Sequence, residues 1–176
     1  ENLLQWSRLQ TGSIECNRKN INPLSILEQC LKTLYSNSAL KNINIIKNID
    51  PAIQAFADPD MTRLIFRNLI SNAIKFTGEG GEIQIDSKHV ENFVEIAVSD
   101  NGTGIKVEDI SKLFKIEQKH SIPGTSNETG TGLGLILCKE FVDQNNGEIW
   151  VESEVDHGSV FKFTLPVPLK ESRSNL

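Results

Sequence analysis

Residues 68–77, Asn68-Leu69-Ile70-Ser71-Asn72-Ala73-Ile74-Lys75-Phe76-Thr77, decide how this chain folds. They close an amphipathic run that opens at Asp58-Pro59, where Asp suits an N-cap and Pro the first helical position. The run predicts a helix over 59–76. At about 100° per residue, Asn68, Asn72 and Lys75 fall within an arc of about 60°. Ile65, Phe66, Leu69, Ile70, Ala73 and Ile74 fill the broad arc beside it. Two amides and an amine therefore sit at the edge of the core-facing side. An amide buried without a partner costs about 1–3 kcal/mol, so this edge calls for partners. A hydrated cation with phosphates would supply them, because magnesium favours oxygen ligands and keeps several waters. Taken alone, the same residues also describe an ordinary amphipathic helix with solvated polar groups.

Two further blocks lie downstream. Asp100-Asn101-Gly102-Thr103-Gly104-Ile105 follows a predicted strand with the alternation Val94, Ile96, Val98. A carboxylate at a strand end can accept a hydrogen bond from an exocyclic amine, which selects adenine over guanine. Gly102 and Gly104 would let the backbone approach a ligand closely. A plain Asp-Asn-Gly turn is the alternative. Gly130-Thr131-Gly132-Leu133-Gly134-Leu135 leads into an apolar helix expected from Thr131 to Asn145, with Gly147 as its stop. Backbone N–H groups at a helix start form an anion site, strengthened by the dipole. A flexible loop before a helix is the alternative. The block matches neither G-x-x-x-x-G-K-[ST] nor G-x-G-x-x-G after a strand. The protein-kinase motif set is absent as well.

Elsewhere the pattern predicts a short strand over 13–20, with Ile14 and Cys16 on one face. A helix is expected from Pro23 to Leu40 on Leu24, Ile26, Leu27, Cys30, Leu31 and Leu34. Ile43, Ile45 and Ile46 suggest a strand. Further strands are expected near 82–88, 92–99, 148–152 and 159–165, the last two joined through Asp156-His157-Gly158. A short helix is expected over 107–113. Residues 115–129 are polar and aperiodic, long enough for a lid. Residues 1–12 read as a helix end, with Leu3, Trp6 and Leu9 on one side and Gly12 as the stop.

The 176 residues suffice for one domain with a real core. With 38% hydrophobic and 23% charged residues, the chain is globular rather than disordered. A net charge of -5 argues against nucleic acid as a partner. No apolar run approaches the roughly 20 residues of a membrane-spanning helix, so no membrane contact is expected. Position 1 is not Met and no signal peptide is visible, so a fragment or processed piece is expected. Cys16, Cys30 and Cys138 are odd in number, far apart and without metal-ligand spacing. Reduced thiols in a cytoplasmic protein follow. The sequons at Asn101 and Asn127 are read as chance matches.

The order of these blocks resembles the catalytic, ATP-binding domain of bacterial sensor histidine kinases. The wider superfamily also holds gyrase, heat-shock chaperone and mismatch-repair ATPases. The resemblance covers about residues 16–168 and implies an α+β, two-layer sandwich of the Bergerat type, with helices on one face of a mixed, mostly antiparallel sheet. Residues 1–15 would be the remnant of a dimerisation and phosphoacceptor helix, and 169–176 a polar tail. The implied cofactors are ATP and magnesium. Asn72 would be the metal ligand, Asn68 would line the phosphate end, and Lys75 would contact phosphate. Phe76 would pack on base or ribose. Asp100 would bind the adenine amine, with Gly102, Gly104 and Ile105 lining the pocket. Gly130, Thr131, Gly132, Leu133 and Gly134 would hold phosphates, and Ser159 would assist the base through a water. Leu113-Phe114 resembles the start of a phenylalanine box, but Lys115-Ile116-Glu117-Gln118 departs from its usual continuation.

Gyrase-like relatives place a Glu where this chain has Asn68. An amide is a poor base, so the resemblance implies transfer to a nucleophile rather than fast hydrolysis. The implied acceptor is a His on a separate dimerisation domain, with relay to an Asp of a response-regulator receiver. His89, His120 and His157 lack the acceptor's His-Glu or His-Asp context, so the acceptor is expected outside this chain. The chain itself is expected to be monomeric. A non-catalytic ATP-responsive module and an anti-sigma-type serine kinase are the competing readings.

Overall fold

The computed structural model describes residues 7, 15–115, 124–126, 128 and 132–168. Two strands, β1 (Lys19–Ile21) and β3 (Ala55–Ala57), form a small antiparallel sheet, with Ile21 opposite Ala55. The main sheet has the order β2-β4-β5-β7-β6. Its strands are β2 (Asn44–Asn48), β4 (Glu82–Val90), β5 (Phe93–Asp100), β6 (Ile149–Glu154) and β7 (Gly158–Pro166). Only β2 and β4 pair in parallel, Ile45 against Ile83, and the other neighbours are antiparallel. A parallel pair needs a crossover, and β3 with the helix after it provides one. The mixed, mostly antiparallel sheet matches the expectation.

Among the described residues from 15 onward, the helices are α1 (Pro23–Leu40), α2 (Pro59–Phe76), α3 (Val107–Ile110) and α4 (Gly134–Gln144). Asn22 caps α1, its side chain accepting from the Ser25 N–H at 3.0 Å. Asp58 caps α2 through Oδ1, which accepts from the Asp60 and Met61 N–H groups at 2.9 Å each. Strand alternation then builds the core. Ile83 and Ile85, Val94, Ile96 and Val98, and Phe161, Phe163 and Leu165 turn inward. They meet Ile65, Phe66, Leu69 and Ile70 of α2 and Leu137, Phe141 and Val142 of α4, all buried. Phe66 and Phe163 pack edge to face, 5.6 Å between centroids.

Strand β3 is not expected from the sequence, and three further details depart from the sequence-based expectation. The strand expected over 13–20 begins at Lys19, because β3 offers only three residues to pair with. Cys16 lies ahead of it, its thiol donating to Gln144 O at 3.4 Å, and Ile14 lies outside the described residues. Helix α4 begins at Gly134 rather than near Thr131, with Leu133 in the N-cap position and no side-chain cap. Helix α3 stops at Ile110, and turns continue to Phe114. Of the residue 1–12 helix end, only Ser7 is described, and it is helical. No helix among the described residues is long and apolar enough to cross a membrane.

Candidate functional site

Helices α2 and α4 run antiparallel, which decides what faces what. The Asp58 N–H, at the start of α2, donates to Asn145 Oδ1 just past the end of α4, at 2.7 Å. Halfway along, the Cys138 thiol lies 3.9 Å from Ile65 O. The C-terminal half of α2 therefore lies beside the N-terminus of α4. Asn68, Asn72 and Lys75 thus share one end of the molecule with Gly132, Leu133 and Gly134. Among the described residues no side chain caps α4, and its N-terminus, the positive end of its dipole, lies at that same end.

The two amides differ. Asn72 is half-buried, whereas Asn68 is only 8% exposed. The Asn68 carboxamide sits beside the Cys138 thiol, yet its Nδ2 has no hydrogen-bond partner of proper geometry. Burial pushes that thiol up to about 12, which keeps it neutral and unreactive. The Lys75 ammonium lies 4.8 Å from the centroid of the Phe76 ring. Desolvation holds it below the usual lysine range, and Glu128 pulls the other way.

Asp100 ends β5, as expected, and is mostly buried. Burial raises its carboxyl to about 6, against hydrogen bonds from the Gly102 and Ser159 backbone that favour the charged form. Its Oδ1 accepts from the Gly102 N–H at 2.9 Å. The glycines of this block, expected to admit a ligand, also admit the protein's own backbone. A Cβ on Gly102 would stand 2.3 Å from Phe76 O, and one on Gly104 1.9 Å from Glu154 O. Gly104 also has a φ of +66°. The Asp100 loop is thereby fastened to the end of α2, and the Thr103 N–H donates to Phe76 O at 3.2 Å.

Ser159 pairs with Asp100 in the β5–β7 register and is buried. Its hydroxyl lies 2.9 Å from Ser153 Oγ. Ser153, which sequence reasoning missed, also accepts from the Ile105 N–H at 2.9 Å and donates to Gly158 O at 2.8 Å. No local pattern marks it, because its importance comes from lying opposite Ser159 across β6 and β7. The structure therefore brings together Asn68, Asn72, Lys75, Phe76, Leu133 and Gly134 on one side and Asp100, Gly102, Gly104, Ile105 and Ser159 on the other, joined at the Phe76–Thr103 hydrogen bond. Gly132 has the left-handed φ of +70°. Gly130, Thr131 and most of the 115–129 segment lie outside the described residues. Leu113 and Phe114 pack partly against the core.

Residues 57–169 match the family model of histidine kinase-, DNA gyrase B-, and HSP90-like ATPases. The adaptive-response sensory kinase SasA of Synechococcus elongatus is 35% identical over 167 residues, covering 94% of this chain and 43% of that protein. SasA of Prochlorococcus marinus strain MIT 9301 is 42% identical over 172 residues, covering 94% of this chain and 46% of its own length. The chain thus spans less than half the length of these curated relatives. Among solved structures, the catalytic domain of histidine kinase ThkA, nucleotide free, superposes with a TM-score of 0.75 at 27% identity, covering 86% of this chain and 96% of that one. ThkA in complex with response regulator protein TrrA gives 0.71 at 26%, covering 94% and 49%. Full-length ShkA in complex with AMPPNP gives 0.79 at 25%, covering 94% and 34%. This chain belongs to the histidine kinase-, DNA gyrase B- and HSP90-like ATPase family, and within it to the ATP-binding catalytic domains of histidine kinases.

Proposed function

We propose that residues 16–168 bind ATP with magnesium and donate the γ-phosphate to a histidine on a separate dimerisation domain of the same kinase. Residues 1–15 are then the remnant of that domain's helix, and 169–176 a polar tail. The observation that carries this reading is the meeting of an uncapped helix start, two amides and an amine with a buried carboxylate at a strand end. Asp100 accepts the adenine amine, and Ser159 supports it from the neighbouring strand. Phe76 lies under base or ribose, and Gly102, Gly104 and Ile105 form the wall. Lys75 and the α4 N-terminus, with Gly130, Thr131, Gly132, Leu133 and Gly134, hold the phosphates.

The residues present fit a magnesium ion. Asn72 offers an amide oxygen, and the orphaned Nδ2 of buried Asn68 gains an acceptor once phosphate or hydration water arrives. Bound there, the ion would neutralise charge on the β- and γ-phosphates. The chain's own groups bind, orient and exclude water, so catalysis is positioning and charge complementarity. Asn68 cannot act as a base at neutral pH, which favours transfer over hydrolysis.

His89 lies exposed near the end of β4 and His157 exposed in the β6–β7 turn, while His120 lies outside the described residues. None of the three has the acceptor's His-Glu or His-Asp context, so this reading takes the acceptor from another domain. The similarity to ThkA, solved with response regulator protein TrrA, supports a receiver domain as the next partner. The chain by itself would be a monomer in the cytoplasm, and its free thiols suit a reducing compartment.

Calorimetric titration with ATP and GTP, with and without magnesium, tests the site. ATP should bind, GTP should not, Asp100→Ala should abolish binding, and Asn72→Ala should remove the magnesium dependence. No ATP binding by the intact chain would sink the reading. Incubation with a dimerisation domain should then give acid-labile, alkali-stable phosphate. An acid-stable product would instead identify a serine kinase.

A further inference from the structure

The C-terminus of α2 receives a cation from outside its own helix. Lys41, just beyond α1, is 8% exposed. Its Nζ donates to Ile74 O at 2.9 Å, Lys75 O at 3.1 Å, Thr77 O at 3.4 Å and Thr125 Oγ1 at 2.8 Å. It also pairs with Glu128 Oε1 at 2.5 Å. Last-turn carbonyls and the negative dipole end of a helix favour such a cation. The basic residue in the last turn of α2 itself, Lys75, has its ammonium over the Phe76 ring instead.

The described residues around 125 close on the same point. The Thr125 N–H donates to Lys75 O at 3.0 Å, and its hydroxyl lies 2.9 Å from Thr77 O. The Gly124 N–H donates to Glu128 O at 3.0 Å, and the Ser126 N–H donates to Glu128 Oε2 at 2.8 Å. A Cβ on Gly124 would stand 2.4 Å from Lys75 Cγ, so this turn rests directly on the Lys75 stem.

We propose that Lys41 is a positioning residue for triphosphate binding: its ammonium locks residues 124–126 and 128 onto the end of α2 and so braces Lys75. This rests on the nucleotide reading above. Adenine is held elsewhere, by Asp100, so the two halves of the ligand should respond differently.

The test titrates the 176-residue chain with Mg-ATP and with adenosine, before and after Lys41→Met. Thr125→Val and Glu128→Gln cut the same tie from its solvent side, where folding is least at risk. Lys41→Met should weaken Mg-ATP about tenfold, the factor of one charge-assisted hydrogen bond, and leave adenosine within about twofold. Glu128→Gln and Thr125→Val should weaken Mg-ATP in the same selective way. Adding Glu128→Gln to Lys41→Met should do little more, as coupled partners require. Equal losses for ATP and adenosine would reduce Lys41 to a structural role and overturn the proposal. So would unchanged ATP affinity in both Thr125→Val and Glu128→Gln. If the intact chain bound adenosine and ATP in a manner indifferent to Asp100→Ala, the nucleotide reading would fall first and this proposal with it.

Discussion

Asp100 sits where its charge is least comfortable. Its carboxyl is raised to about 6 from an ordinary 3.8 by burial. Between those values the folded chain keeps a proton that the unfolded chain gives up. In the unliganded protein the contribution of Asp100 to stability is therefore fully present below about pH 4 and is lost as the pH climbs to about 6. At 1.36 kcal/mol per unit the loss is about 2–3 kcal/mol. Asp100→Asn should accordingly raise the Tm of the unliganded chain at pH 7 by about 5–10 °C while abolishing ATP binding. Thermal scans at pH 4 and pH 7 check it, since the gain should vanish at the lower pH. A variant no more stable than the parent at pH 7 would show that the carboxylate is not strained. In the proposed site it is the ionised Asp100 that accepts the adenine amine, so ATP affinity should drop about tenfold for each pH unit below about 6. Calorimetry at pH 5, 6 and 7 measures that slope, and a flat profile would contradict it.

At the scale of elements, one polar knot ties three segments together at the end of α2 away from Asn68, Asn72 and Lys75. Asn145 is buried; its Oδ1 accepts from the Asp58 N–H, and its Nδ2 donates to Phe141 O at 2.7 Å. Asp58 caps α2 and also accepts the Asn17 N–H at 2.8 Å. The knot sets the register of α2 against α4, and with it the meeting of the amides with the α4 N-terminus. Asn145→Leu would strand the buried Asp58 N–H and should cost about 1–3 kcal/mol in urea unfolding. Asp58→Ala should cost about 1–2 kcal/mol as a lost cap. Both changes act on one network, so the double variant should lose less than the sum. Strict additivity would mean that the two residues act independently.

Across the whole molecule, the sheet and the two long site helices share one core. Phe163 is fully buried and meets Phe66 edge to face, joining β7 to α2. Phe163→Ala should cost about 3–5 kcal/mol, a large part of the 5–15 kcal/mol that holds an ordinary domain together. Denaturant melts should show the loss, and ATP at about 100 times its Kd should return about 2.7 kcal/mol of it. A melt insensitive to the substitution would place the sheet–helix contact outside the cooperative core.

The sequence by itself determined what depends on near neighbours along the chain. Helix α2 runs from Pro59 to Phe76 because Asp58 caps it and the apolar period of the intervening residues holds to its end. Asp100 stands at a strand end because the Val94, Ile96, Val98 alternation stops there. Tertiary structure alone decided what depends on partners far away. Strand β3, Ala55–Ala57, is too short to show alternation and exists through its pairing with β1. Ser153 matters only because register sets it opposite Ser159. Lys41 reads as a surface lysine until folding brings Ile74, Thr77, Thr125 and Glu128 around its ammonium. Periodicity and capping act within a few residues, whereas a buried ammonium is satisfied by oxygens that only the folded topology assembles.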